Sequence, residues 1–449
     1  FEGPRMQFAN ARHIHMSIPA CASFLLVSWI LPGVDALEVH EGHQAQHILS
    51  LSRRQKEKLR RGTKGGSLSV EIDPHGAHRV LTTPLEDMSS EYTGLVGVGT
   101  SAAGGPQFEA RVVFDTGSTN LWVASVLCKA YPCDEQHTSY DPASSVTSEE
   151  YLEGTSRDID IMFGTGELKG PLHVDTYHVG PMEVDHQPFA MIREMSGEVF
   201  ASFPFEGILG LAFPSLSFGG ITPFFERVIE KKLLKRNEFA FYLNADSSRP
   251  SALLWGGVDK DLYEGEILMF PVKKAHYWAL ELVDFRIGNR SLLEDEKHAK
   301  TKYLIVDTGT TYFTAPGSIY DEIIATLQEA PCPQVESYVP LTYVLRSASG
   351  DTFQLEVTQE TYMVADDSET CQPAFMKLDL KKQYGPAMIL GEVFMRHFFT
   401  VFSRGNGDLT EAKVGFAKAK LGAIPKVSSK MGSVLQIQEA PLMRRSAEH

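Results

Sequence analysis

The sequence predicts a mostly β protein made of two related lobes, with only a few short helices. Three observations carry that expectation. From about residue 85 onward, short alternating apolar runs are punctuated by Gly, Pro, Asn and Asp. Helical periodicity is confined to two clear stretches, 221–235 and 318–330. A five-residue motif also recurs once, 192 residues after its first appearance, with the same kind of residues around each copy.

Along the chain, the first element is an apolar run at 18–34 (IPACASFLLVSWILPGV), preceded by Arg12, His13 and His15. Val34-Asp35-Ala36 then offers compact residues at the offsets of signal-peptidase cleavage. The run is short and Pro-interrupted for a membrane span. Residues 1–36 are therefore read as a signal peptide cleaved after Ala36, or else as an uncleaved anchor, with Met6 or Met16 as the candidate start. Residues 37–84 read as a basic propeptide. Within it, LSRRQKEKLRRGTK (51–64) carries seven Lys or Arg against one Glu, in a chain whose net charge is −15. A basic helix of this kind is suited either to solvent or to docking in an acidic cleft, and the contrast with the rest of the chain favours docking. His40, His43 and His47 share a helical face. However, Gln44 stands where a second histidine would complete HExxH, so no metal site is read there.

The strand-like runs follow: TGLVGVGT, FEARVVFD, DIDIMFGTG, LLWGG and EILMFPV. Asp115-Thr116-Gly117-Ser118-Thr119 recurs as Asp307-Thr308-Gly309-Thr310-Thr311. ARVVF precedes the first copy and KYLIV the second. Ile208-Leu209-Gly210 answers the first and Ile389-Leu390-Gly391 the second. One Asp-Thr-Gly is an ordinary turn; two copies with the same companions point to two lobes, 85–262 and 263–422. Residues 423–449 show no strong periodicity and read as a flexible tail.

Two aspartates brought together can share one proton and so provide both an acid and a base, which is what water-driven hydrolysis of an amide needs. The residues around them have physical roles. Gly117 and Gly309 allow sharp turns and leave room above the carboxylates. Thr116 and Thr308 can hydrogen-bond across the seam, and Ser118 and Thr310 can stabilise an ionised carboxylate. Ile161-Met162-Phe163-Gly164-Thr165-Gly166 reads as a β-hairpin tip able to close over a bound peptide.

Composition narrows the alternatives. A pI near 5.5 argues against a nucleic-acid partner. GxSxG and HExxH are both missing, which argues against serine and metal hydrolases, and no cofactor is implied. With Cys21 in the signal run, Cys128, Cys133, Cys332 and Cys371 remain as an even set suited to an oxidising compartment; four cysteines allow three pairings. Asn289-Arg290-Ser291 is a glycosylation candidate in the same setting. The expected location is the secretory pathway: secreted, held in an acidic vesicle, or membrane-associated if the signal is retained.

From about Glu91 to Ala417 the chain resembles the pepsin family of aspartic proteases. The resemblance rests on SEYTGLVGVGT, VVFDTGSTNLWVAS, FEGILGLAF, HYWALELVDFRIG, LIVDTGTTYF and MILGEVFMRHFFTVF, in that order. It implies a bilobal fold with a cleft between the lobes, Asp115 and Asp307 as the catalytic dyad, and Phe163-Gly164-Thr165-Gly166 as the flap. It also implies Cys128–Cys133 and Cys332–Cys371 disulfides, a monomer, peptide or protein substrates with bulky apolar residues, and an inhibitory propeptide. In that propeptide, Lys56, Lys58 or Lys64 would pair with the dyad. The family usually has Tyr at Phe163, whose hydroxyl would partner Trp122, and Ser at Thr311. A Phe flap together with TGELKGPL, PFEGILGLAFPSL and the basic segment is similar to the plasmepsin-like maturases of apicomplexan parasites. The competing reading is a non-catalytic peptide- or glycan-binding protein on the same frame. Such proteins usually lose one Asp or the Gly that follows, and both triplets are intact here.

Overall fold

The computed structural model describes residues 80–426, apart from short stretches within 89–90, 131–138, 154–155, 164–165, 198–204, 247, 366–369 and 381–382, together with a two-residue strand at Ser28–Trp29. The rest of the signal run, the basic segment with its lysines and histidines, and the tail beyond residue 426 lie outside the described residues. Ser28 and Trp29 pair antiparallel with Phe163 and Met162.

The described residues are mostly strand, with a few short helices, as the sequence predicts. A six-stranded antiparallel sheet ties the halves together. Its strands run in the order Leu81–Asp87, Ser251–Trp255, Glu238–Tyr242, Phe398–Ser403, Lys413–Ala419 and Tyr263–Ala275. At its centre Glu238–Tyr242, from the first half, pairs with Phe398–Ser403, from the second. Aromatic residues fill the space beneath this seam. Phe239 stacks on Phe402 with ring centroids 5.0 Å apart, and Trp255 and Trp278 pack against Phe239 from either side.

Each half repeats one arrangement. In the first, Pro106–Asp115 pairs antiparallel with Tyr92–Thr100 and parallel with Gly207–Gly210, placing Ile208 opposite Val113 and Gly210 opposite Asp115. In the second, Tyr303–Val306 pairs parallel with Ala387–Leu390, placing Ile389 opposite Ile305. Ile208 and Ile389 thus each face the residue two before the aspartate. The alternating apolar positions explain why these segments are strands: Val112, Phe114, Leu304 and Val306 all enter the main core.

Both helices are shorter than the sequence predicts. The first is confined to Phe224–Glu230, because Pro223 precedes it and Lys232 adopts a left-handed backbone with φ 54°. The second spans Gly317–Thr326. The residues after it leave the helix for a short strand, Ala330–Pro331, paired with Thr370 and Cys371, and this brings Cys332 beside Cys371. Among the described residues no helix is long and apolar enough to cross a membrane.

Candidate active site

Asp115 ends its strand and Asp307 directly follows Tyr303–Val306, so the two parallel pairings deliver one carboxylate from each half. Both side chains are buried. The loops that carry them exchange hydrogen bonds across 192 residues. Thr116 N–H donates to Thr308 Oγ1 and Thr308 N–H donates to Thr116 Oγ1, each at 2.9 Å. Each threonine hydroxyl in turn donates to a carbonyl of the opposite half, Thr116 to Val306 at 3.0 Å and Thr308 to Phe114 at 2.6 Å. Both backbone N–H groups and both hydroxyls of the two threonines are thereby paired, and the pairing fixes the loops to each other.

The glycines are set by contact. A Cβ at Gly117 would run into both carboxylate oxygens of Asp307. Gly210 and Gly391 lie directly against the backbones of Thr119 and of Thr310 and Tyr312. The Ile-Leu-Gly that answers each Asp-Thr-Gly is therefore the strand on which the loop rests, and only glycine permits the approach.

The two aspartates differ in their surroundings. Gly117 N–H donates to Asp115 Oδ1 and Gly309 N–H to Asp307 Oδ1, both at 2.8 Å. Thr310 Oγ1 donates to Asp307 Oδ2 at 2.8 Å. Ser118 Oγ and Asp115 Oδ2 have no hydrogen-bond partner of ordinary geometry among the described residues. Burial pushes Asp115 well above the usual carboxylate range, and the charge of Asp307 pushes it further; the nearby Ser118 hydroxyl and Gly117 N–H only partly oppose this. Burial also raises Asp307, but Thr310 and Gly309 oppose the rise by donating to its ionised form. Paired protease aspartates are the standard example of this coupling, and the proton belongs to the pair. The donor count places it on the Asp115 side.

Trp122 lies buried in the strand Leu121–Ala124, edge-on to Phe200 with centroids 6.5 Å apart. The hairpin Asp158–Phe163 and Gly166–Val179 forms as the sequence predicts. Gly164, Thr165 and the side chain of Phe163 lie outside the described residues. Thr311 is buried beside the second loop. The disulfides join Cys128 to Cys133 and Cys332 to Cys371, with Cα separations of 5.7 and 4.9 Å. Asn289 is exposed in the turn between Trp278–Ile287 and Arg290–Ser291, where a glycan could attach. Sequence reasoning singled out no role for Tyr277. Burial raises its phenol, and the charges of Tyr384, Asp307 and Asp115 add to the rise, so this ring lies within the electrostatic reach of the dyad. Its only sequence signal was membership of HYWALELVDFRIG.

A two-lobed β fold presenting one buried aspartate from each lobe, with the loops cross-bonded, is the architecture of the aspartic proteases. The family model for eukaryotic aspartyl protease matches residues 91–419, and the chain belongs to this family. It is similar to Aspartic protease 3 of Toxoplasma gondii, at 38% identity over 79% of this chain and 54% of the relative. It is similar to Plasmepsin IX of Plasmodium falciparum, at 32% identity over 76% of this chain and 62% of the relative. Pepsin A of Sus scrofa is 32% identical over 77% of this chain and 86% of its own length. The chain thus belongs to the pepsin family and is similar to its plasmepsin-like apicomplexan group. It spans only about half to three fifths of the length of the two parasite relatives.

Proposed function

We propose that the chain is an aspartic endopeptidase, made as a secretory zymogen, that hydrolyses peptide bonds at acidic pH with water activated by Asp115 and Asp307. The observation that carries the reading is the unequal hydrogen bonding of two buried carboxylates held by one cross-bonded pair of loops. Asp307, with the greater number of donors, is the ionised base; Asp115 holds the proton.

In the addition step Asp307 takes a proton from water, the water oxygen bonds to the peptide carbonyl carbon, and Asp115 gives its proton to the carbonyl oxygen. In the collapse step the C–N bond breaks. The nitrogen takes the proton held by Asp307, and one hydroxyl of the intermediate returns a proton to Asp115. The site ends as it began, with one proton on the pair. Turnover therefore falls at low pH, when Asp307 protonates, and at high pH, when Asp115 loses its proton.

The flap hairpin would cover the peptide and exclude water. Bulky apolar residues around the scissile bond are the substrate preference the resemblance implies. Until activation the basic segment would occupy the cleft, with Lys56, Lys58 or Lys64 against the dyad. Protonation of its acidic partners would weaken that attraction and release it.

The test compares the full chain with its Asp115→Asn variant on a quenched peptide between roughly pH 3.5 and 7.5. Turnover confined to the unaltered chain, greatest on the acid side and accompanied by loss of the N-terminal segment, is expected. Silence in both at every pH, after another protease has removed that segment, would bring forward the non-catalytic peptide- or glycan-binding reading.

A further inference from the structure

Away from the dyad, the second lobe gathers a histidine and two carboxylates that no part of the proposed reaction uses. Asp295 and His298 lie in the loop between Arg290–Ser291 and Tyr303–Val306; Glu322 lies on the helix Gly317–Thr326. One side-chain donor atom from each comes within 4.8 Å of the other two. The geometry points to a binding site for a divalent transition-metal ion of the zinc type, held by His298 Nε2 and by the carboxylates of Asp295 and Glu322, with water completing the shell.

The histidine carries the argument. His298 is 1% exposed, and its Nδ1 lies 2.9 Å from the carbonyl of Leu292. A carbonyl only accepts, so Nδ1 bears a proton, and in the neutral ring that a metal would bind the lone pair lies on Nε2. This is the arrangement by which metal-bound histidines are usually held: one nitrogen donates to the backbone and the other faces the ion. Nε2 has no hydrogen-bond partner among the described residues, and it faces Glu322 Oε1 at 3.7 Å. Buried Nε2 and partly exposed Glu322 Oε1 gain from a cation between them, and Asp295 beside them adds a third ligand that suits a metal ion. In a tetrahedral zinc site, with bonds of about 2.0–2.1 Å, neighbouring ligand atoms lie about 3.3 Å apart. The histidine–glutamate gap needs little closure, and Asp295 already brings a carboxylate oxygen within 4.8 Å of both.

The remaining contacts fit a held site. His298 N–H and Ala299 N–H both donate to the carbonyl of Asp295, so Asp295 and His298 project from one helical turn. Lys297 N–H donates to Asp295 Oδ1 at 2.9 Å and orients that carboxylate. Arg290 Nη2 holds Glu322 Oε2 at 2.8 Å, which leaves Oε1 for the ion. Lys297 Nζ lies 3.9 Å from the same Oε1 and is the competing cation. Buried Leu292 and Leu293 anchor the start of the loop in the core. The ion would fasten this loop to the helix behind it, on the segment that leads into Asp307.

The test titrates the full chain with Zn2+ by calorimetry and with Co2+ by visible absorption. One equivalent of Zn2+ is expected, together with a tetrahedral Co2+ spectrum. His298→Gln should remove the Co2+ bands and weaken Zn2+ at least tenfold, and Asp295→Asn should weaken it several-fold. Lys297→Met should tighten binding several-fold, a change in direction that loss of structure would not produce. If His298→Gln does not fold, the two variants at exposed positions carry the test. No Zn2+ binding below roughly 100 µM would overturn the proposal. Unchanged binding in the Asp295 and His298 variants would also overturn it and assign the metal to His40, His43 and His47.

Discussion

At the scale of residues, the two halves of the site are alike in backbone and unlike in charge. Both aspartates accept from the glycine two positions on, but among the described residues only the Thr310 hydroxyl, on Asp307, is placed in ordinary hydrogen-bond geometry. In the proposed mechanism Asp307→Asn removes the base while keeping the shape. Steady-state turnover should fall by at least about a thousandfold with the melting temperature nearly unchanged; residual activity within about tenfold would refute the assignment. Thr310→Val deletes a donor that favours the ionised form, so the Asp307 carboxyl rises further. Because the proposed mechanism works with Asp307 ionised, the acid limb of the kcat/KM profile should move to higher pH, and an unmoved limb would count against this division of roles. The repeated Asp-Thr-Gly was legible in the sequence because each copy brings its own strand before it and its own Ile-Leu-Gly after it. The contrast between Ser118 and Thr310 was not legible. Both are hydroxyl residues at matching positions, and only the direction of the hydroxyl separates them.

At the scale of elements, the junction between Tyr92–Thr100 and the short helix Glu392–Met395 holds a carboxyl group away from water. Glu392 is buried and accepts from Tyr92 N–H at 2.9 Å, with Arg396 against the Tyr92 ring. Burial raises its pKa well above the usual value, and the charges of Glu91 and Asp87 add to this against the pull of Arg396 and the Tyr92 N–H. The folded chain therefore keeps this proton after the unfolded chain has lost it. The stabilisation is complete below the unfolded pKa and declines as pH rises towards the folded value, with a slope of up to about 1.4 kcal/mol per pH unit. Glu392→Gln keeps an acceptor for Tyr92 and cannot ionise. Its melting temperature should fall less than that of the unaltered chain between roughly pH 5 and 7; parallel curves would exclude Glu392 as the group responsible. GEVFMRHFF gave no hint of this, because what surrounds Glu392 comes from 300 residues earlier in the chain. The helix ends escaped the sequence for a similar reason: Ala330 and Pro331 follow a good helical pattern but find a strand partner at Cys371.

At the scale of the whole molecule, an ion pair adds to the shared sheet and the threonine exchange in fastening the halves. Arg404, 2% exposed, follows the strand Phe398–Ser403 and forks onto Glu226 of the first-half helix, with its guanidinium over the Phe213 ring. Glu226→Ala would leave that cation buried without its counter-charge, at a cost of about 3–5 kcal/mol. A thermal or denaturant melt should show it, and a loss below about 1 kcal/mol would mean that water reaches Arg404. The two-lobed plan itself was legible, since duplication leaves a repeat that can be counted. The fastening between lobes was not, because Glu226 and Arg404 are ordinary surface residue types in the sequence and meet only across 178 positions.

The exchange between Thr116 and Thr308 also sets an order of events during synthesis. A ribosome adding roughly 5–20 residues each second needs roughly 10–40 s to travel from the first threonine to the second. Throughout that interval the emerging chain carries Asp115 without Asp307 opposite it and without a donor from the other loop. Closing so long a stretch of chain is also entropically dear, so the hydrogen bonds that finish the site come late. If the proposed chemistry holds, a truncated or half-folded copy would lack the finished pair, and cleavage would become available only to a molecule whose last strands have found their places.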